Sequence, residues 1–188
     1  PGTMGGSALA DVLTGRREAY GRLPMTFPRS EGQIPLSYDG YSTGRPGPKP
    51  EVFWSHYIDE SNAPAYPFGF GLSYTTFEYR DLVVEPTAEG WAASVTVRNI
   101  GARAGSDVVQ LYVGRQGNGQ LYPVKALKGF QRVVLDPGAE GRVRIELPRE
   151  ALVQRDGQGR SVPFTQGTLT VTVGPNSQSG LTWTTLLP

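Results

Sequence analysis

The chain has 188 residues, no cysteine and a formal charge of +1, so nothing electrostatic favours nucleic acid or an anionic membrane surface. The missing cysteines exclude a disulfide framework, a thiolate metal site and a thiol nucleophile. Apolar residues at 38% and aromatics at 10% exclude a disordered tail, while 25 glycines and 16 prolines favour turns and short strands over long helices.

The chain opens on Pro1 without an initiator methionine, inside what reads as structured sequence. The expectation is that an N-terminal part of a longer protein precedes it. Gly5–Gly15 predicts a short helix whose apolar face is Ala8, Leu9, Val12 and Leu13, with Ser7 as candidate cap and Gly15 as the left-handed residue past its end. Such a helix needs a partner sheet, and little sheet is left on this side of the chain. Arg16–Arg22 is turn-like. Leu23–Phe27 is a short apolar run between Pro24 and Pro28, expected as an edge or final strand. Arg29–Tyr57 predicts an irregular connection carrying Tyr38, Tyr41, Phe53, Trp54 and Tyr57. Aromatic rings there serve either as pins for the loop or as platforms for the apolar face of a sugar; Trp54 is the candidate for the second role.

The stretch Tyr66–Tyr79 organises the chain. Tyr66, Phe68, Phe70, Tyr74 and Phe77 alternate with small residues, and Gly69 and Gly71 allow close approach of backbone. It predicts a bent, aromatic-studded crossing that becomes a strand near Tyr74–Tyr79. Beyond Phe77 a period of two takes over. Leu82 and Val84 are expected to pair with Val95 and Val97, with Ser94, Thr96 and Arg98 on the other face. Val109, Leu111 and Val113 alternate with Val108, Gln110 and Tyr112; Val143, Ile145 and Leu147 with Arg142, Arg144 and Glu146; Leu169, Val171 and Val173 with Thr168, Thr170 and Thr172. Turn signals stand at Asn99-Ile100-Gly101, Gly117-Asn118-Gly119, Asp136-Pro137-Gly138 and Asp156-Gly157. About seven strands and no helical stretch predict an antiparallel β-sandwich closed by LTWTTLLP.

Motifs for chemistry are sparse. His56 is the single histidine, so neither a multi-histidine metal site nor a catalytic triad finds its parts. Gly69-Phe70-Gly71 lacks the strand-to-helix setting and the lysine of a phosphate loop. Lys125, Lys128 and Arg132 cluster on one predicted strand without interleaved aromatics, as a solvated or docking face. Of the 17 carboxylates none sits in a motif that poises it for catalysis; Glu31, Asp39, Asp59 and Glu60, in the irregular connection, are the ones that could line a cleft. No run approaches the roughly 20 apolar residues that span a bilayer.

The string PFGFGLSYTTF resembles the entry of glycoside hydrolase family 3 enzymes, β-glucosidases and relatives, into their fibronectin type III-like domain. Similar in the same order are GGSALADVLTG at Gly5–Gly15, GRLPMTFPRSEGQIPLSY at Gly21–Tyr38, TGRP at Thr43–Pro46 and PVKALKGFQRVVLDPGAE at Pro123–Glu140. The loop before Gly21 departs from the family, which has a proline, a small residue and then Gly-Lys-Leu-Pro. The resemblance implies a mainly β fold: a fibronectin type III/immunoglobulin-like sandwich over 74–188, preceded by the end of an α/β-sandwich domain over 1–38 and an interdomain connection over 39–73. It implies retaining hydrolysis of terminal β-linked sugars, most often glucose, by two carboxyl groups about 5–5.5 Å apart and without a cofactor. Both carboxyl groups belong to motifs that this chain lacks, so alone it is expected to be inactive and to hold no metal. Its expected partner is the N-terminal barrel and α/β-sandwich portion of the same enzyme, in one chain or as a separate one, with an oligosaccharide or aryl β-glycoside as substrate of the whole. Nucleic acid and membrane are not expected partners, and the compartment implied is periplasmic or secreted. The docking residues would be Tyr66, Phe68, Gly69, Phe70, Gly71, Tyr74, Phe77 and Arg45, the last clamping a carboxylate or carbonyl of the companion domain. The other reading is a non-catalytic sandwich that binds polysaccharide or protein.

Overall fold

A computed structural model describes residues 2–42, 44–50, 52–117, 119–155 and 158–188. The predicted turns at Asn118 and at Asp156-Gly157, and Thr43 of TGRP, lie outside the described residues.

The chain starts with helix α1 (Gly5–Leu13), and its C-terminal stop is the one expected: Gly15 takes φ 70° and its N–H bonds the Val12 carbonyl at 3.0 Å. The start differs. Met4 is the N-cap, and the Ser7 hydroxyl turns back to the Met4 carbonyl instead of capping. Among the described residues nothing on α1 is buried; Leu9 and Leu13 are 60% and 72% exposed. Leu23–Phe27 is not a strand. It makes a single antiparallel bridge, Phe27 to Tyr66, because Pro24 lacks a donor and the partner stretch bends at Gly69. The connection that follows holds one turn of 3₁₀ helix at Glu31–Gln33 and is otherwise irregular.

Nine strands follow among the described residues: β1 (Phe77–Thr87), β2 (Gly90–Asn99), β3 (Gly105–Gln116), β4 (Ala126–Leu135), β5 (Glu140–Pro148), β6 (Gln154–Arg155), β7 (Ser161–Val162), β8 (Gly167–Gly174) and β9 (Leu181–Leu187). Seven of them build two antiparallel sheets, in the orders β1-β2-β5 and β4-β3-β8-β9, while β6 and β7 pair only with each other. This is the sandwich expected from the alternation. Val95, Val97, Val109, Leu111, Val143, Ile145, Leu169 and Val171 meet between the sheets as one core. Asp136-Pro137-Gly138 turns β4 into β5, with Gly138 at φ 76° and the Ala139 N–H on the Asp136 carbonyl.

Two details correct the expectation. The strand begins at Phe77, not Tyr74, and the β1–β2 register slips between Arg80 and Val83. Asp81 takes φ 56° there, so Val84 opposes Ala93 and Tyr79 opposes Val97, in place of the predicted Leu82 and Val84 with Val95 and Val97. Lys125 precedes β4, and only Lys128 and Arg132 lie on it.

Candidate domain-docking site

The polar face of β3 is where sequence and structure part. Ser106, Gln110 and Tyr112 alternate with the core residues, yet all three are buried. Their cover is the first part of the chain, which crosses the outer face of the four-stranded sheet. Leu23 is bonded on both sides to the crossing, through Leu23 N–H to Phe70 O at 2.8 Å and Gly69 N–H to Leu23 O at 2.9 Å. Phe27 and Tyr66 continue the pairing. The bent crossing is therefore held from behind by the short apolar run and from below by β3.

Each predicted docking residue has a definite place. Phe68 stacks on Tyr38 at 4.1 Å between ring centres, and Tyr112 meets both rings edge-on. Gly69 sits over the strand: its carbonyl accepts a bond from Gln110 Nε2 at 3.0 Å. A Cβ there would lie 2.0 Å from Gln110 Oε1, and φ is 78°. Gly71 leaves room for Arg22 to pass, since a Cβ would meet the Gly21 carbonyl at 2.4 Å and the guanidinium at 2.5 Å. Tyr66 and Phe70 lie tilted against each other at 5.1 Å, with Tyr66 half exposed. The Tyr74 hydroxyl donates to the Val12 carbonyl at 2.5 Å, and the Arg103 guanidinium lies over its ring. Phe77 opens β1 and packs on the core. Arg45 stays exposed in the connection; its carbonyl accepts the Ser55 N–H at 2.9 Å. Trp54 stacks on His56 at 4.3 Å and lies against Gly47.

The strongest bonds in the interface come from residues that the motif reading passed over. Arg22 reaches Asp107 at 2.5 Å, with the two side chains only 12% and 5% exposed. Asp107 also accepts the Tyr79 hydroxyl at 2.8 Å, from the facing sheet, and the Val108 N–H at 2.7 Å. One carboxylate thus ties together both sheets and the crossing. A signal existed: Asp107 shares its parity with Val109, Leu111 and Val113, and an acid at a core-facing position needs a buried partner. Two further ties hold the ends. Glu18 accepts the Ser73 hydroxyl and the Tyr74 N–H, and the buried Asn99 accepts the Thr75 hydroxyl while donating to the Arg103 and Leu135 carbonyls.

Burial pushes the Tyr79 phenol far above its ordinary range; the nearby Asp107 charge and its hydrogen bond add to the shift. Tyr112 is also raised, chiefly by burial. An unfolded tyrosine loses its proton near pH 10, so the folded chain keeps protons that the unfolded chain releases. The associated stability is complete below about pH 10 and declines above it, by about 1.4 kcal/mol per pH unit for each such group. Tyr79→Phe is expected to remove one proton's worth of this slope in urea unfolding measured between about pH 10 and pH 11. An unchanged slope would show that Tyr79 is not held in its protonated form.

The four carboxylates from the connection do not converge. Asp39 takes the Ser37 hydroxyl, Glu60 lies 3.9 Å from Arg29 and bonds the Ser61 N–H, and Glu31 and Asp59 are exposed. Among the described residues, no three of His, Asp and Glu gather as a metal site. The Lys125 ammonium reaches the Ser177 carbonyl within the sandwich, while Arg132 lies over the Tyr20 ring at 4.1 Å and so acts in the docking of the first segment.

Fold and site together define a β-sandwich with the first segment of the chain fastened across one sheet. Residues 1–74 match the glycosyl hydrolase family 3 C-terminal domain, and residues 107–177 match the fibronectin type III-like domain. The chain is similar to the C-terminal part of glycosyl hydrolase family 3 enzymes of the β-glucosidase type, and no catalytic residues are evident among the described residues. Among its relatives, the periplasmic beta-glucosidase of Salmonella typhimurium is 46% identical over 157 residues, which is 80% of this chain and 20% of that protein. The thermostable beta-glucosidase B of Acetivibrio thermocellus is 34% identical over 185 residues, 92% of this chain and 24% of that protein. The crystal structure of beta-glucosidase from Listeria innocua in complex with glucose superposes with a TM-score of 0.90 at 37% identity, covering 99% of this chain and 26% of that one. The chain spans 20% and 24% of the two curated relatives.

Proposed function

We propose that this chain is the structural C-terminal portion of a retaining, exo-acting β-glucosidase that hydrolyses terminal β-linked sugars through a covalent glycosyl-enzyme, without a cofactor. Both catalytic carboxyl groups then belong to a barrel and α/β-sandwich portion outside this chain. In this reading 1–38 completes the α/β-sandwich domain, 39–73 is the connection, and 74–188 is the fibronectin type III-like brace. Tyr66, Phe68, Gly69, Phe70, Gly71, Tyr74 and Phe77 hold the connection on the brace. Arg45 projects from it toward the catalytic portion, and Trp54 is the residue of the connection nearest in kind to a sugar platform. The compartment is periplasmic or secreted, in keeping with the name of the Salmonella relative.

One observation carries the reading: the first segment is fastened to the sandwich on one side and bare on the other. Leu9 and Leu13 of α1 are open, and Leu23, Phe27, Tyr66, Phe70 and Leu72 border an apolar groove of about 570 Å³. Such a surface calls for the rest of a domain.

The test is a chimera in which this chain replaces the matching segment of the Salmonella enzyme. The chimera is expected to turn over an aryl β-glucoside, and the purified chain to give only background. Turnover by the chain alone would place catalytic carboxyl groups within it, and a folded but inactive chimera would deny the bracing role. In the same chimera Arg45→Ala is expected to lower the melting temperature; an unchanged one would remove Arg45 from the contact.

A further inference from the structure

Between the turn from β1 into β2, the short 3₁₀ segment after β5 and the stretch Pro163–Thr165 lies an open cavity of about 580 Å³, the size of a small-molecule site. No residue before Pro86 lines it, so it is separate from the docking site described above. Its floor is apolar: Trp91, Leu152 and Phe164. Its rim carries Arg149 and Glu150 side by side, with Thr87 and Thr165.

The walls are fixed from outside the cavity. The Arg149 N–H bonds the Glu89 carbonyl at 2.9 Å, and its guanidinium reaches the Ala88 carbonyl at 3.3 Å. Arg115 donates to the Leu152 and Val153 carbonyls at 3.0 and 3.2 Å, which holds the turn that bears Glu150. Phe164 is locked edge-on against Tyr122 at 5.5 Å. Trp91 leans on Trp183 at 5.3 Å. Gly90, just before Trp91, takes φ 152°, and a Cβ on it would strike the Leu147 carbonyl at 2.4 Å.

We propose that this cavity is a second sugar site, which takes one or two pyranose units of a neutral glycan. The chemistry follows from the lining. Arg149 and Glu150 contribute one charge of each sign, so the rim favours neither anions nor cations. A guanidinium and a carboxylate in neighbouring positions offer donors and acceptors to adjacent hydroxyls. The Trp91 indole supplies the apolar surface on which the C–H face of a sugar ring packs. The choice of β-linked glucose as probe rests on the function proposed above; the neutral, polyhydroxylated class rests on the cavity alone.

The chain carries three tryptophans, so each indole N–H gives a separate signal in an NMR titration. With the isolated chain and laminaribiose or cellobiose, the Trp91 signal is expected to move saturably with a millimolar Kd. In the Arg149→Ala/Glu150→Ala variant, both positions being exposed, binding is expected to weaken by about tenfold. A still Trp91 signal with both sugars, movement of Trp54 in its place, or binding unchanged in the double variant would each overturn the site. This readout needs no turnover. An active chimera with a silent Trp91 rejects the sugar site alone, and a moving Trp91 with an inactive chimera rejects the bracing role alone.

Discussion

Asp107→Ala is expected to lower the unfolding free energy by about 3–5 kcal/mol, the cost of removing one partner from a buried ion pair. The cost arises from what stays behind. Arg22 would keep its charge in a site where it is 12% exposed, and the Tyr79 hydroxyl and the Val108 N–H would lose their acceptor. Urea unfolding at neutral pH measures it. The Arg22→Met/Asp107→Leu double variant separates this account from a plain loss of contact. If the orphaned charge dominates, the double variant is more stable than Asp107→Ala, since a buried pair replaced by apolar groups of similar volume costs little. A loss below about 1 kcal/mol for Asp107→Ala would mean that water reaches Arg22 and that the pair behaves as a surface bridge.

Gly69→Ala is expected to cost about 2–5 kcal/mol and to release the crossing while the sandwich stays folded. Two terms add. A left-handed φ of 78° costs a residue with a side chain about 1–2 kcal/mol, and forcing a methyl into packed atoms costs about 1–3 kcal/mol. The methyl would displace the Gln110 amide, which bonds both the Gly69 and Pro175 carbonyls, and disturb the Tyr112 hydroxyl bonded to it. Gly138→Ala is the control, because Gly138 has nearly the same φ, 76°, with no atom within 4 Å of the added carbon. The difference between the two variants isolates the contact term. Limited proteolysis is expected to cut within 20–75 in Gly69→Ala and to leave β1–β9 intact. Equal stability and equal cutting in the two variants would show that the crossing is not seated on Gln110.

Much of the sandwich was legible because alternation is a property of neighbouring residues. Val143, Ile145 and Leu147 on β5, and Leu169, Val171 and Val173 on β8, lie on the core face as their spacing required. The turn at Asp136-Pro137-Gly138 was equally local, since proline sets one dihedral and glycine permits the next. The α1 face was legible too, and so was its lack of a partner. The docking site was legible only in its glycines and rings. Gly69 and Phe68 announced a close approach, but what they approached did not show.

What stayed hidden depends on residues far apart in the chain. Arg22 and Asp107 are separated by 85 positions, and no local pattern joins them. The β1–β2 slip comes from Asp81 adopting a left-handed φ, which an unbroken run of strand-forming residues conceals. The burial of Gln110 and Tyr112 stayed hidden because alternation reports only that a strand has two faces; which of them is wet is decided by what lies across it. The sequence by itself determined the alternating strands of the two sheets, the turn at Asp136-Pro137-Gly138, the unpartnered helix and the bent crossing, all set by backbone preference and nearest neighbours. Only the tertiary structure decided the register of β1, the burial of β3 on both faces and the carboxylate that joins three layers, because burial is a collective result of the whole chain closing on itself.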